Sequence, residues 1–290
     1  MEKIVIVGAG PAGISAALYA ARANMDPLVI SCGVGSLEKA EKIENYYGIG
    51  KPISGRELYE NGIAQAKALG VRFLETQVLG AGGFDTFEVH TTEGTIETEC
   101  LILATGSKRK TLPIKGIQEL EGMGVSYCAV CDAFFYRGRT VGVIGNGDFA
   151  LHEAEVLAPL AGSVTIFTDG KEPAFTTETQ IPVDTRKILE VEGTEYVTGI
   201  RLEGEEATLP MDGIFLAIGT AGSGEIARQM GAELTEKGSI RVNENMETTI
   251  PGMYAAGDCT GGLLQVAKAV YEGAQAGLSA ISYVRGRAKA

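Results

Sequence analysis

The chain has 290 residues, of which 45% are hydrophobic, with 40 glycines, no tryptophan and a formal net charge of -12. This length suits about two domains with real cores, and the acidic balance argues against nucleic acid as a partner because phosphate binding needs a basic surface. The apolar segment at residues 3–10 is too short and too rich in glycine for a membrane span or a signal peptide. We therefore expect a cytoplasmic protein with neither nucleic acid nor membrane as a partner.

The first predicted unit begins near the N-terminus. Residues 3–8 are a short apolar run rich in β-branched residues, residues 12–23 are an Ala-rich helical segment, and residues 27–31 are a second apolar run. A strand, a glycine turn, a helix and a strand in this order begin a doubly wound nucleotide-binding fold. The glycines let the backbone approach a pyrophosphate at the helix N-terminus, where free N–H groups and the helix dipole favour an anion. The pattern predicts a dinucleotide bound at the turn residues Gly8, Gly10, Pro11, Ala12 and Gly13.

The end of the second predicted strand lacks an expected acid. Dinucleotide-binding units usually place an Asp or Glu there to bind the adenosine ribose. Here the strand ends in Ile30, Ser31 and Cys32. We therefore expect the ribose to be held in another way.

A second unit of the same kind is predicted further along the chain. The strand at 140–144 leads into a glycine turn at 145–150, a helix at 150–160 and a strand at 163–167. Two such units predict an α/β fold with two Rossmann-like FAD/NAD(P)-binding domains.

The domain boundaries follow from turns and composition. A buried strand at 101–106 ends in a small-residue turn, a basic linker with one proline follows at 107–117, and the strand at 214–219 mirrors the first. The segment 254–258 then precedes a helix over about 263–284, without a complete glycine-turn unit of its own. We expect it to complete the first domain, so the predicted segments are 1–110 and 238–290 for a discontinuous FAD-binding domain and 111–237 for a central domain.

The only closely spaced cysteines are Cys128 and Cys131, followed by Asp132. A zinc site needs about four ligands, and the chain has two histidines and no second pair of this spacing, so no metal site is predicted. A structural disulfide is unusual in the cytoplasm, which leaves a redox dithiol that can attack and resolve a partner disulfide. Asp132 is the candidate proton donor or acceptor, with a helix-capping or solvated acid as the alternative. Cys32, Cys100 and Cys259 are predicted to be small core residues.

Taken in chain order, these motifs resemble the low-molecular-weight thioredoxin reductases. The resemblance covers nearly the whole chain and rests on four motifs: the turn 8–13, the turn 104–106, the cysteine motif 128–132 with the aromatic run 134–136, and the turn 256–258. It implies an FAD-dependent homodimer that reduces thioredoxin, with the cysteine pair in the central domain. It also implies that Cys131 lies nearer the flavin and Cys128 nearer the partner. The further residues that it assigns to FAD are Asn45, Ala104, Thr105, Gly106, Gly257, Asp258, Gln265, Val266 and Ala267.

The central domain departs from this family where NADPH would bind. NADPH-dependent members carry a His-Arg-Arg run after the strand that corresponds to 163–167, whereas this chain has no arginine between Arg139 and Arg186. Residues 168–180 show no helical periodicity, so the crossover helix that usually joins two parallel strands is predicted to be missing. Asn146 also replaces the usual middle glycine of the second glycine turn.

These departures resemble the ferredoxin-dependent flavin thioredoxin reductases, which implies reduced ferredoxin as the electron donor. An acidic ferredoxin would need a local basic patch on this acidic chain, for which Lys108, Arg109, Lys110, Arg137 and Arg139 are candidates. The alternatives are an NADH-dependent reductase using Asp169 for the ribose, an NADPH-dependent reductase with unusual anchors, and an FAD-binding redox sensor. Whether the central domain rotates during turnover stays open.

Overall fold

A computed structural model of the chain describes residues 1–106, 112–219 and 221–288. The chain forms two compact units, one made of Met1–Arg109 with Gly222–Ala290 and the other of Lys110–Ala221. The predicted discontinuous arrangement differs from this division at its second boundary, since residues 222–237 belong to the first unit. The reason is local packing: the Gln229 side chain accepts a hydrogen bond from the Ala81 N–H at 3.1 Å, and Ser223 exchanges hydrogen bonds with Thr105.

The described ranges contain sixteen strands and six α-helices. The strands are β1 (Val5–Val7), β2 (Leu28–Ser31), β3 (Arg72–Glu75), β4 (Val78–Gly82), β5 (Phe87–Thr91), β6 (Gly94–Thr98), β7 (Leu101–Leu103), β8 (Val125–Ser126), β9 (Thr140–Ile144), β10 (Ser163–Phe167), β11 (Val183–Asp184), β12 (Ile188–Gly193), β13 (Val197–Leu202), β14 (Leu209–Pro210), β15 (Gly213–Leu216) and β16 (Met253–Ala255). The α-helices are α1 (Pro11–Arg22), α2 (Gly55–Ala68), α3 (Ala129–Asp132), α4 (Asp148–Leu157), α5 (Ser223–Gln229) and α6 (Val266–Arg287).

The first unit is built on a parallel sheet with the strand order β16-β7-β1-β2-β3. All three residues of β1 and of β7 are buried, as expected for parallel strands that are covered on both faces. Their Cα partners are in register, with Val5 opposite Leu28 on one side and Leu101 on the other. An antiparallel sheet, β4-β5-β6, completes this unit.

Helices α1 and α6 pack closely in the core of the first unit because small residues line their contact. Ala12, Ala16, Ala276 and Ala280 are buried there. A Cβ at Gly273 would meet the Ala12 carbonyl oxygen at 2.0 Å, so glycine is required for the observed approach of the two backbones. The predicted helices at 12–23 and 263–284 correspond to these two elements.

The second unit repeats the plan with a parallel sheet in the order β11-β10-β9-β15-β8 and an antiparallel sheet, β12-β13-β14. Strand β9, a glycine turn and α4 follow the predicted order. Residues 168–182, which the structure describes in full, join β10 to β11 without a helix. The prediction that the crossover helix is missing is therefore confirmed.

The contact between α1 and α6 yields a stability prediction. Gly273→Ala should lower the free energy of unfolding by about 1–3 kcal/mol, because the added methyl group forces the two helices apart. Gly286→Ala is the matched control in the same helix, since a Cβ there meets no atom within 4 Å. It should raise stability by up to about 1 kcal/mol because alanine is the better helix former. Equal effects of the two substitutions in chemical denaturation would contradict this packing.

Candidate active site

The first glycine turn lies at the carboxyl end of β1. The Gly8 N–H donates to the Ile30 carbonyl oxygen at 2.8 Å, and Gly8 has a φ of +113°. A Cβ at Gly13 would meet the Gly8 carbonyl oxygen at 1.8 Å, whereas a Cβ at Gly10 would meet no atom within 4 Å. Gly8 and Gly13 therefore allow close backbone packing, and Gly10 leaves an open approach to the turn.

The N-terminus of α1 has the properties of an anion site. Gly10 is its N-cap and Pro11 its first residue, and no side chain in the described ranges caps this end. Its first turn contains no acid. Unsatisfied N–H groups and the helix dipole at such an end favour a phosphate, so the turn fits the pyrophosphate of FAD.

Two further turns lie beside the first one, because the carboxyl ends of parallel strands share one edge of a sheet. A Cβ at Gly8 would meet the Ala104 carbonyl oxygen at 2.3 Å, and a Cβ at Gly257 would meet the Ala12 side chain at 2.9 Å. Gly106 and Asp258 line a common cleft. The structure thus brings together the predicted residues of the turns 8–13, 104–106 and 257–258.

The remaining predicted FAD residues lie at the start of α6 and in the loop before α2. Gln265 is the N-cap of α6, and Val266 and Ala267 form its first turn. The Asn45 side-chain amide donates to the Gln265 side-chain oxygen at 3.1 Å, although 220 positions separate the two residues. The contact joins two segments that the sequence assigned to the flavin separately.

The cysteine pair lies at the N-terminus of the four-residue helix α3. Cys128 and Cys131 are disulfide-bonded, and the Cys131 N–H donates to the Cys128 sulfur at 3.2 Å. Cys128 is buried and Cys131 is half-buried. The more exposed residue is therefore the one that the resemblance assigns to the flavin, and the order of the two cysteines stays a prediction.

Asp132 has a defined partner next to the disulfide. Its carboxylate accepts the Ser126 hydroxyl at 2.6 Å, and the same hydroxyl oxygen accepts the Cys128 N–H at 3.1 Å. Ser126 thus connects the candidate proton donor to the backbone of the redox pair. Burial, and then the charge of Asp132, raise the pKa of the nearby Tyr136.

Glu153 is a second acid that the sequence did not reveal. It lies on α4, is buried, and accepts the Ala129 N–H at 2.6 Å. Its carboxylate therefore anchors the first residue of α3. The only signal in the sequence was an acid on the apolar face of a predicted helix.

The second glycine turn is covered by its own chain. We call residues 172–176 the strap. The Asn146 side-chain amide donates to the Glu172 carbonyl oxygen at 3.2 Å, and the Ala174 N–H donates to the Asn146 carbonyl oxygen at 2.6 Å. The Asp148 carboxylate accepts the Thr176 N–H at 2.7 Å and its hydroxyl at 3.0 Å. The strap therefore bonds to the turn from both sides of Gly147.

Asp169, the candidate ribose ligand, is also engaged by its own chain. It is buried, and its carboxylate accepts Lys187 Nζ and the Ile188 N–H, each at 3.0 Å. Arg186 pairs with Asp184 and Glu205. Of the predicted basic patch, Lys108, Arg109 and Lys110 lie outside the described residues, while Arg139 lies 3.9 Å from Asp212.

The three unpaired cysteines differ in exposure. Cys100 and Cys259 are buried as predicted, but Cys32 is exposed. Its prediction as a core residue was wrong, because Cys32 follows the last residue of β2 and has already left the buried sheet. Burial raises the pKa of Cys259 to about 12 and also raises the pKa of Cys100.

These exposures predict the thiol reactivity of the native oxidised protein. A maleimide should label Cys32 within minutes, while Cys100 and Cys259 should react only after unfolding, because alkylation needs an accessible thiolate. Peptide mass spectrometry checks the sites. Rapid native labelling of Cys259 would contradict its burial beneath the turn at 256–258.

Comparisons with known proteins agree with this geometry. The family described as "Pyridine nucleotide-disulphide oxidoreductase" matches residues 2–273. A thioredoxin reductase from Aquifex aeolicus is 35% identical over 304 residues, covering 99% of this chain and 94% of the relative. One from Treponema pallidum is 37% identical, covering 97% and 96%.

Solved structures are also similar. The atypical thioredoxin reductase TRi from Desulfovibrio vulgaris Hildenborough is 41% identical with a TM-score of 0.92, covering 99% of each chain. A ferredoxin-flavin thioredoxin reductase from Clostridium acetobutylicum is 32% identical with a TM-score of 0.72, covering 98% of each. Within the described ranges, no helix is long and apolar enough to cross a membrane. The chain belongs to the pyridine nucleotide–disulphide oxidoreductase family and is an FAD-dependent disulfide oxidoreductase of the thioredoxin reductase type.

Proposed function

We propose that this protein takes electrons from reduced ferredoxin and passes them, with FAD as the electron store, through Cys128 and Cys131 to thioredoxin. The observation that carries the proposal is the strap over the second glycine turn. In this fold a nicotinamide nucleotide needs that turn for its pyrophosphate, as FAD needs the turn at 8–13. A glycine turn that is hydrogen-bonded to the strap is not free to bind a nucleotide pyrophosphate as well.

The charge at the second turn supports the same conclusion. Asp148 lies in the first turn of α4, so its negative charge lies near the helix end that would otherwise attract a phosphate. A pyrophosphate entering there would meet a negative charge and would have to break the hydrogen bonds to Thr176. The first turn, by contrast, presents the N-terminus of α1 without an acid.

The NADH alternative depends on Asp169, and its contacts weigh against that use. Both oxygens of the carboxylate accept hydrogen bonds from the start of β12, at Lys187 and Ile188. Binding a ribose would compete with these contacts and could leave the buried Ile188 N–H without a partner, at a cost of about 1–3 kcal/mol. The NADPH alternative lacks an arginine near the end of β10. The similarity to a structure named as a ferredoxin-flavin thioredoxin reductase also favours ferredoxin.

FAD is assigned to the first unit by the residues that the resemblance named. Gly8, Gly10 and Gly13 would admit the pyrophosphate, Asp258 would contact the ribityl or pyrophosphate region, and Asn45 with Gln265 would lie near the isoalloxazine ring. Bound FAD supplies a two-electron store that single-electron donors can fill. Two reduced ferredoxins and two protons are then needed for each disulfide reduced.

Electrons leave the protein by thiol–disulfide exchange with thioredoxin. The Cys128 thiolate attacks a sulfur of the thioredoxin disulfide, which forms a mixed disulfide and releases one thioredoxin thiolate. The Cys131 thiolate then attacks the Cys128 sulfur, which reforms the internal disulfide and releases the second thiolate. Asp132, held by Ser126, exchanges a proton with the departing thiolate. We also propose a cytoplasmic homodimer, as the family resemblance implies.

The electron donor is tested by anaerobic mixing of the oxidised protein with reduced ferredoxin, NADH or NADPH. Ferredoxin should bleach the visible absorbance of the flavin within seconds, and neither nucleotide should do so, because the strap occupies their turn. Dithionite is the control that the flavin can be reduced. Rapid bleaching by either nucleotide would overturn the proposal.

The roles of the two cysteines are tested by serine substitution. Cys128→Ser and Cys131→Ser should each abolish thioredoxin reduction and retain FAD. Cys131→Ser should also trap a mixed disulfide with thioredoxin, because Cys128 then lacks its resolving thiol.

Trapping by Cys128→Ser instead would reverse the order of the cysteines. Full activity of either variant would refute the dithiol pathway. A wild-type protein that accepts electrons but never turns over thioredoxin would favour the redox-sensor alternative.

A further inference from the structure

A buried ion pair lies behind the turn that carries Asp258. Lys268 and Glu272 are one helical turn apart on α6, with Lys268 Nζ 3.0 Å from the Glu272 carboxylate. Their side chains are only 15% and 12% exposed. Long charged side chains are seldom buried to this extent without a structural reason. Neither residue belongs to the motifs that predicted the FAD site.

Both charges of this pair bind the same short turn. Lys268 Nζ donates to the carbonyl oxygens of Gly257 at 2.7 Å and Gly261 at 2.6 Å, and lies 2.8 Å from the Thr260 hydroxyl. The Glu272 carboxylate accepts the Gly257 N–H at 2.8 Å and lies 2.9 Å from the same hydroxyl. We call Lys268 and Glu272 the ionic clamp. It ties the two ends of turn 257–261 to one point on α6.

The turn needs such support because its backbone is unusual. Gly257 has a φ of +86° and Gly261 a φ of +78°, with a single turn of 3-10 helix at Asp258–Thr260 between them. The Gly257 carbonyl oxygen also accepts the Thr260 N–H at 3.1 Å, whereas the donor described for the Gly261 carbonyl oxygen is Lys268 Nζ, and losing such a donor costs free energy. The clamp therefore fixes the turn in one conformation.

We propose that Lys268 and Glu272 are positioning residues for FAD, which hold turn 257–261 so that Asp258 is ready to contact the cofactor. This inference rests on the assignment of FAD to Asp258 in the proposed function. A turn that is already ordered loses less conformational freedom when the ligand binds, so affinity rises. The clamp also influences the acid itself. Burial raises the pKa of Asp258, and the charge of Lys268 opposes that rise.

The test measures the affinity of the apoprotein for FAD, through the quenching of FAD fluorescence. Lys268→Met removes the charged donor to the Gly257 and Gly261 carbonyl oxygens and should weaken FAD binding by about ten-fold, the size expected for losing charged hydrogen bonds. Arg241→Met is the matched control, since it removes an exposed ion pair with Glu233 in the same unit. It should change the affinity by less than about two-fold.

A double variant keeps the test decisive. Lys268→Met leaves Glu272 buried without its cation, so its apoprotein could fail to fold. The double variant Lys268→Met with Glu272→Gln removes both charges, and it should show the same loss of about ten-fold with an unchanged circular dichroism spectrum. Wild-type affinity in a folded clamp variant would overturn the inference.

The Asp258→Asn variant tests the assignment of FAD to Asp258 separately from the role of the ionic clamp. A clamp effect together with an effect of Asp258→Asn supports the inference. No effect of Asp258→Asn would instead refute the assignment of FAD to this turn, and the inference with it. At saturating FAD, ferredoxin should still bleach the flavin of the clamp variants, so a failure of the ferredoxin proposal is detected independently of FAD affinity.

Discussion

The Asp148 carboxylate accepts both the backbone N–H and the hydroxyl of Thr176, and the proposed choice of electron donor depends on this contact. The two turns begin from the same plan, a buried parallel strand followed by glycines and a helix. At the first, the end of α1 has neither a side-chain cap nor an acid. At the second, the first turn of α4 carries Asp148, and the strap is hydrogen-bonded to Asn146 and Asp148. In the proposed function, one plan thus provides the FAD site in the first unit and a turn bonded to its own chain in the second.

The proposed FAD site and the redox-active disulfide are held in place by different kinds of contact. The glycine turns of the first unit are fixed by close backbone contacts, such as Gly13 against Gly8 and Gly273 against Ala12, and by the ionic clamp on α6. The disulfide lies on a four-residue helix whose backbone is held by side chains: Ser126 binds the Cys128 N–H and Glu153 the Ala129 N–H. These two contacts satisfy the backbone N–H groups at the start of α3.

Local patterns in the sequence predicted much of this architecture. Strand β1, the turn and α1 follow from an apolar run, glycines and a proline at the first helical position, and the missing crossover helix follows from Gly170, Pro173 and the threonines around them. Contacts between distant segments could not be predicted. Asp148 and Thr176 are 28 positions apart, and no local feature of either segment predicts the contact between them. The spacing of Lys268 and Glu272 was visible as an ordinary surface pair, but their burial against turn 257–261 was not. The difference at the second boundary has the same cause, since α5 packs against β4 in the first unit.

The central claim is that the second unit no longer binds a nicotinamide nucleotide, and equilibrium binding tests it most directly. Isothermal titration calorimetry of NADPH and NADH into the FAD-loaded, oxidised protein requires no electron transfer and no partner protein. The account predicts no binding heat for either nucleotide at concentrations up to about 1 mM, where a binding free energy of about −4 kcal/mol would still be detected. Saturable binding of either nucleotide in the micromolar range would contradict it, because the strap would then have to leave the glycine turn at little cost.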